Sequence, residues 1–103
     1  MKTFIDLQGV SGRVYRFRIW REGDLHQPIG GNYAVVRVDG GGLQVLGLGA
    51  TNDLSGARRT LSRLKRLGGE AVYTRHNVSR GVRESELQDL VARYEPNFIG
   101  DDG

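Results

Sequence analysis

Two short apolar runs separated by a glycine turn constrain the fold of this chain more than any other feature. The runs cover 33–38 and 43–48, and Asp39-Gly40-Gly41-Gly42 lies between them. Glycine adopts the positive φ angles of tight turns without steric cost, so the pattern predicts two antiparallel strands.

An arginine-rich helix is predicted directly after the second strand. Leucine and alanine recur at helical spacing from Leu54 to Leu64, and Gly68-Gly69 ends the pattern. The three residues at 51–53 each carry a side-chain oxygen that can accept a hydrogen bond from the first helical turn. We therefore expect a helix over about 54–67.

Similar patterns outside this unit complete the order ββββαβα. Alternating apolar and polar residues predict an N-terminal β-hairpin from 4–7 and 14–20, and another strand at 70–75. A final helix is predicted from about Val82 to Tyr94, because apolar residues recur there at helical spacing.

This order predicts one α+β domain over 1–103, with a small mixed or antiparallel sheet and flanking helices. We expect the N-terminal β-hairpin and a loop over 1–30, a core over 31–97 and a tail over 98–103. In the strand at 14–20, one face is predicted to be core and the other carries two arginines and a tryptophan. Trp20 is a candidate for stacking on a base, and equally for plugging the hairpin against the long loop or a partner chain.

Positive charge is concentrated in one segment. From Leu54 to Arg83 there are eight cations and one carboxylate, Glu70, whereas the whole chain has a net charge of only +3. A basic segment on an otherwise mildly acidic chain is typical of a protein that binds phosphate backbones. The simpler interpretation is that arginines decorate exposed helices.

The composition excludes several classes of site. The chain has no cysteine, so it has neither disulfides nor thiolate metal ligands. No apolar run approaches the ~20 residues that a membrane span needs. Asp6 falls too early for the apolar core of a secretory signal. We therefore expect a cytoplasmic protein with no membrane partner.

From 31 onward the chain resembles the GIY-YIG nuclease superfamily. Residues 31–33 read Gly-Asn-Tyr, and residues 47–54 read Gly-Leu-Gly-Ala-Thr-Asn-Asp-Leu, similar to the two strand motifs of that family. Residues 89–97 resemble the family's last helix and its ending in proline and asparagine. The resemblance implies a GIY-YIG-like core behind the N-terminal hairpin, and phosphodiester cleavage assisted by Mg²⁺ or Mn²⁺.

The resemblance also assigns roles to residues, and some of the family's groups are missing. Tyr33 stands at the first tyrosine, which positions or deprotonates the attacking water, whereas Gly47 replaces the second tyrosine. Ala57 stands at the family arginine, with Arg58 one step later. Leu87 stands at the metal-binding glutamate. The catalytic candidates are therefore Tyr33, Arg58 and Glu86, and the metal-binding candidates are Glu86 and Glu84.

Three functions follow from these observations. The first is a catalytically impaired, GIY-YIG-like domain that binds nucleic acid, with DNA favoured over RNA. Its phosphate contacts would be Arg58, Lys65, Arg75, His76 and Arg80. The second is an active Mg²⁺- or Mn²⁺-dependent endonuclease that cleaves DNA. The third is a protein-interaction module whose N-terminal hairpin pairs with another chain, including a second copy in a homodimer.

Overall fold

A single six-stranded sheet organises the chain. The computed structural model describes residues 1–21, 23–24, 28–56, 66 and 68–100. Their elements are β1 (Phe4–Gln8), β2 (Val14–Trp20), β3 (Gly31–Asp39), β4 (Gly42–Thr51), a 3₁₀ turn (Leu54–Gly56), β5 (Ala71–His76), α1 (Arg80–Tyr94) and β6 (Phe98–Gly100). The strand order is β1-β2-β5-β3-β4-β6. Every neighbouring pair is antiparallel except β4 and β6, so the sheet is mixed and the predicted α+β class is confirmed.

Two sequence-based expectations have different outcomes. The tail predicted from residue 98 is wrong at its start, because Phe98–Gly100 forms β6 and pairs in parallel with β4. Three residues are too few for an alternating pattern to indicate a strand. Of the predicted arginine-rich helix, the structure describes the 3₁₀ turn Leu54–Gly56 at its start, and 57–65 and 67 lie outside the described residues.

One face of the sheet, which we call the helix face, is covered by α1. Leu87 and Leu90 of α1 pack in one buried cluster with residues from β1 to β5, among them Phe17, Leu48 and Tyr73. Phe17 is fully buried, as the alternation in β2 predicts. This apolar cluster provides the main hydrophobic stabilisation of the described residues.

The opposite face, which we call the far face, has a smaller core of its own. Successive side chains of a strand point to opposite faces, so Val35 lies on the far face between Ala34 and Val36 on the helix face. Trp20, Val35 and Val72 are buried together there, and Phe98 of β6 packs against them. Both faces of the central strands are therefore covered.

Helix α1 has clear ends that its sequence explains. The hydroxyl of Ser79 accepts a hydrogen bond from the N–H of Val82 and caps the first turn. Glu95, with φ 45°, adopts the left-handed conformation, and its N–H donates to the carbonyl of Val91 before Pro96. No helix within the described ranges has the length and apolarity to cross a membrane.

A polar network fastens α1 to the turn between β1 and β2. The carboxylate of Asp89 accepts hydrogen bonds from the Ser11 N–H (2.8 Å), the Ser11 hydroxyl (2.6 Å) and the Tyr15 hydroxyl (2.7 Å). The Ser11 hydroxyl first, and then that of Tyr15, lower the pKa of Asp89, whereas burial and then Asp89 raise the pKa of Tyr15. The ionised carboxylate thus holds the turn against the helix.

The same helix also covers part of the outer edge of β1. The N–H of Gln8 donates to the hydroxyl of Tyr94 (3.2 Å), and the N–H of Val10 donates to the carbonyl of Asp89 (3.1 Å). The C-terminal end of β1 therefore finds hydrogen-bond partners in α1 where a further strand would otherwise supply them.

Replacing Asp89 by asparagine should lower the free energy of unfolding, because three donors lose an ionised acceptor. The pKa of Asp89 is depressed in the folded state, so its contribution is complete above the unfolded pKa of about 3.9 and is lost as pH falls through the folded-state value. Urea unfolding followed by circular dichroism should show a wild type–variant difference that is constant near neutral pH and shrinks below about pH 4.

Glu84→Gln provides the control on the same helix. Glu84 forms an exposed ion pair with Arg80, and such pairs contribute about 0–1 kcal/mol. Equal stability of wild type and Asp89→Asn at neutral pH would contradict the role given to Asp89.

Candidate nucleic-acid interface

Tyr33 lies on the far face and is buried. It occupies one row across all six strands, in the order Phe4, Arg18, Thr74, Tyr33, Gly49 and Gly100. Its ring extends from β3 across β4 towards β6, since a Cβ added at Gly49 would overlap the ring and one at Gly100 would overlap the hydroxyl. With 6% of its surface exposed, Tyr33 fills a groove made by glycines.

The place where the resemblance expects a second tyrosine is also filled. Gly47 pairs with Val35 on one side and with Phe98 on the other. A Cβ added at Gly47 would lie 3.4 Å from the Phe98 ring. Phe98 therefore covers the backbone where a second phenol would stand.

Glu86 lies on the other side of the sheet from Tyr33. Its carboxylate accepts a hydrogen bond from the Arg75 Nε at 2.8 Å, and its side chain is 13% exposed. Arg75 also lies over the ring of Tyr15, with 5.5 Å between the guanidinium carbon and the ring centroid, and Tyr15 belongs to the core cluster of the helix face. The fold therefore does not bring Glu86 and Tyr33 together.

The other predicted site residues are dispersed. Arg58 and Lys65 lie outside the described residues. Glu84 bonds to Arg80 at 3.0 Å on the exposed first turns of α1. Among the described residues there is no group of three or more histidine, aspartate or glutamate side chains placed to hold a metal ion.

One cation of the basic segment is buried. Arg83 is 4% exposed, and its Nη1 donates to the carbonyl of Val78 at 2.8 Å. The Arg83 carbonyl accepts from the Asn32 side chain, which in turn accepts from Asn77. Arg83 and Asn32 thus join α1 to β3 and β5, and the middle residue of the Gly-Asn-Tyr motif has a structural role.

A hollow of about 540 Å³ opens on the far face beside β1, β2 and β5, and we call it the basic hollow. Four arginines line it together with His76, and Asp24 is the one carboxylate among the described lining residues. These arginines are Arg16, Arg18, Arg21 and Arg75. A concave surface of one sign concentrates counter-ions of the other sign, so the hollow attracts anions.

The cations of the basic hollow differ in whether they already have an ion-pair partner. Arg16 pairs with Asp6 at 3.1 Å, whereas the Arg75 guanidinium pairs with Glu86 on the helix face. Arg18 is exposed and has no hydrogen-bond or ion-pair partner among the described residues. Arg18 is therefore the cation of the hollow best placed to contact an added anion.

Two aromatic side chains also line the hollow. Trp20 is 5% exposed and its indole N–H donates to the Asp24 carbonyl, so it forms a wall and does not present a face for stacking. Phe4 is 49% exposed. His76, predicted from sequence as a phosphate contact, is exposed at the rim on β5.

Sequence reasoning missed Phe4, Arg16, Arg18 and Arg21 as site residues. A signal for two of them was present, because the alternation in β2 places Arg16 and Arg18 on the face opposite its core residues. No pattern in the sequence predicts that β2 pairs with β5, and this pairing makes the arginine-bearing strand one wall of the hollow.

Gly49→Ala should reduce the free energy of unfolding by about 1–3 kcal/mol, because the new methyl group overpacks against Tyr33. Tyr33→Leu removes the overlapped ring atoms, so the double variant should be more stable than the sum of the two single effects predicts. Urea unfolding of the four proteins measures this coupling.

Gly40→Ala is the control, since nothing lies near a Cβ at Gly40. Additive effects of Gly49→Ala and Tyr33→Leu would contradict the packing of the Tyr33 ring against Gly49.

Comparisons with known proteins add no function to this geometry. No family model, no curated protein and no solved structure matches the chain. The basic hollow on the far face is therefore the feature from which a function is proposed.

Proposed function

We propose that this chain is a nucleic-acid-binding domain that contacts backbone phosphates through the basic hollow. The observation that carries the proposal is a concave surface lined by arginines and a histidine, with Arg16 and Arg18 exposed on the far face. Arginine presents a planar fork of donors that matches phosphate oxygens. We further propose that the part of the chain from Gly31 onward is a GIY-YIG-like core.

The local chemistry of the lining suits a nucleic acid. The lining combines guanidinium groups with an imidazole, a threonine hydroxyl and an exposed aromatic ring, from Thr74, His76 and Phe4 among others. Phosphate contacts position a nucleic acid, while aromatic rings can contact its bases.

The order of elements supports the GIY-YIG-like core. From Gly31 the chain has two antiparallel strands, then β5, then α1, and β3 lies between β4 and β5. The cleavage chemistry of that family has less support, because Tyr33 and Glu86 lie on opposite faces of the sheet and the Glu86 carboxylate already accepts a hydrogen bond from Arg75. We therefore propose binding without cleavage.

Arg18→Ala should weaken DNA binding and reduce its salt dependence. Each phosphate contact contributes about −0.7 to −0.9 to the slope of log K against log salt, so the loss of one contact should flatten the slope by that amount. Fluorescence anisotropy with labelled DNA over a series of NaCl concentrations measures both quantities.

Arg93→Ala is the charge-matched control. Arg93 is an exposed cation in the last turn of α1, away from the lining of the hollow. Its removal should leave the slope nearly unchanged. Equal losses for Arg18→Ala and Arg93→Ala would indicate diffuse attraction by net charge and would contradict the hollow as the binding site.

The purified protein should leave supercoiled and branched DNA intact with either Mg²⁺ or Mn²⁺, because the carboxylate and the phenol named for cleavage do not share a face. Agarose gel electrophoresis after incubation checks this. Nicking that disappears in both Tyr33→Phe and Glu86→Gln would overturn the proposal and restore the endonuclease hypothesis.

A further inference from the structure

We propose that the basic hollow accepts a single strand of nucleic acid with one base laid against Phe4, and that it discriminates against a duplex. The inference rests on the proposed function and names the form of nucleic acid that the site takes. It follows from the position of Phe4, the size of the hollow and the spacing of cations around the ring.

Phe4 lies at the edge of the sheet with half of its surface exposed. It pairs with Arg18 in the register of β1 and β2, so the ring and that guanidinium side chain are direct neighbours on the far face. The Arg16 guanidinium carbon lies 5.7 Å from the Phe4 ring centroid. The ring already holds one planar cation, and a planar base uses the same kind of contact.

The exposure of Phe4 has no explanation in packing. It belongs to neither buried cluster of the sheet. An exposed phenylalanine alone is ordinary on a protein surface. Phe4 differs because it borders a concave, cationic surface, where an aromatic face adds affinity for an unpaired base.

The hollow has the volume of a site for a small group. Its volume of about 540 Å³ lies within the range of roughly 300–1,000 Å³ found for sites that enclose small ligands. A duplex keeps its bases stacked inside two phosphate backbones, so it could touch only the rim. A single strand can turn one base out of its stack and into the hollow.

Two arginines lie beside the place where the base would lie. Arg18 is directly opposite Phe4 in the register of β1 and β2, and the Arg16 guanidinium carbon is 5.7 Å from the Phe4 ring centroid. The phosphates before and after an inserted base would meet these two guanidinium groups. Two contacts to a single strand predict a salt slope of about −1.4.

The test compares a fluorescein-labelled strand of about 12 nucleotides, a length within the range of known single-strand sites, with the same strand annealed to its complement. Fluorescence anisotropy should show the single strand binding at least about tenfold more tightly than the duplex. Phe4→Leu keeps an apolar side chain but removes the aromatic face. It should weaken single-strand binding by roughly 5- to 100-fold and leave duplex binding unchanged.

Val14→Ala is the matched control. Val14 is an exposed apolar residue (58%) on β2 that does not line the hollow, so its loss should not change either affinity. Circular dichroism establishes that each variant is folded.

The outcomes separate this inference from the proposed function. Duplex binding as tight as single-strand binding, or a Phe4→Leu variant with wild-type affinity, would overturn the inference and leave phosphate binding by the hollow intact. No binding of either form at low salt would overturn the proposed function itself.

Discussion

The register between β2 and β5 is the constraint on which the rest of the structure depends. Three pairs define it, with Arg18 opposite Thr74, Ile19 opposite Tyr73 and Trp20 opposite Val72. A slip of one residue would move every side chain of β2 to the other face of the sheet. Phe17 would then leave the helix-side core, and the arginines of β2 would be buried beneath α1.

Several interactions outside the ladder hold this register. Asp89 fixes the turn that precedes β2, and the buried side chains of Phe17 and Trp20 engage a separate core on each face. The register is thus specified from both sides of the sheet at once. The geometry of the basic hollow depends on the same pairing, because Arg18 and His76 line one surface only when β2 lies beside β5.

The sequence predicts local structure well where a pattern repeats. The alternation in β2 identifies Tyr15 and Phe17 as core residues, and both are buried. The spacing of Leu87 and Leu90 identifies the buried stripe of α1. Trp20 shows where such reasoning ends, because its burial depends on Val35, Val72 and Phe98 from three other strands.

The candidate site was harder to predict because it is made by long-range pairing. Charge density drew attention to the segment ending at Arg83, yet Arg75 and Arg80 form ion pairs and Arg83 is buried. Counting cations along a sequence does not reveal which of them are already neutralised within the fold. The cations that line the hollow come mainly from β2 and the turn after it, far from that segment.

β1 is one of the two outer strands of the sheet. Its outer edge affects whether copies of the chain can join edge to edge. Its alternate backbone groups point away from β2, and those of Gln8 are partly taken by the Tyr94 hydroxyl. Among the described residues of β1, Gln8 is the one whose outward N–H is bonded to α1, and the outward groups of Phe4 and Asp6 have no such bond. Helix α1 therefore shortens the edge of β1 that is open to strand pairing, as well as covering the core.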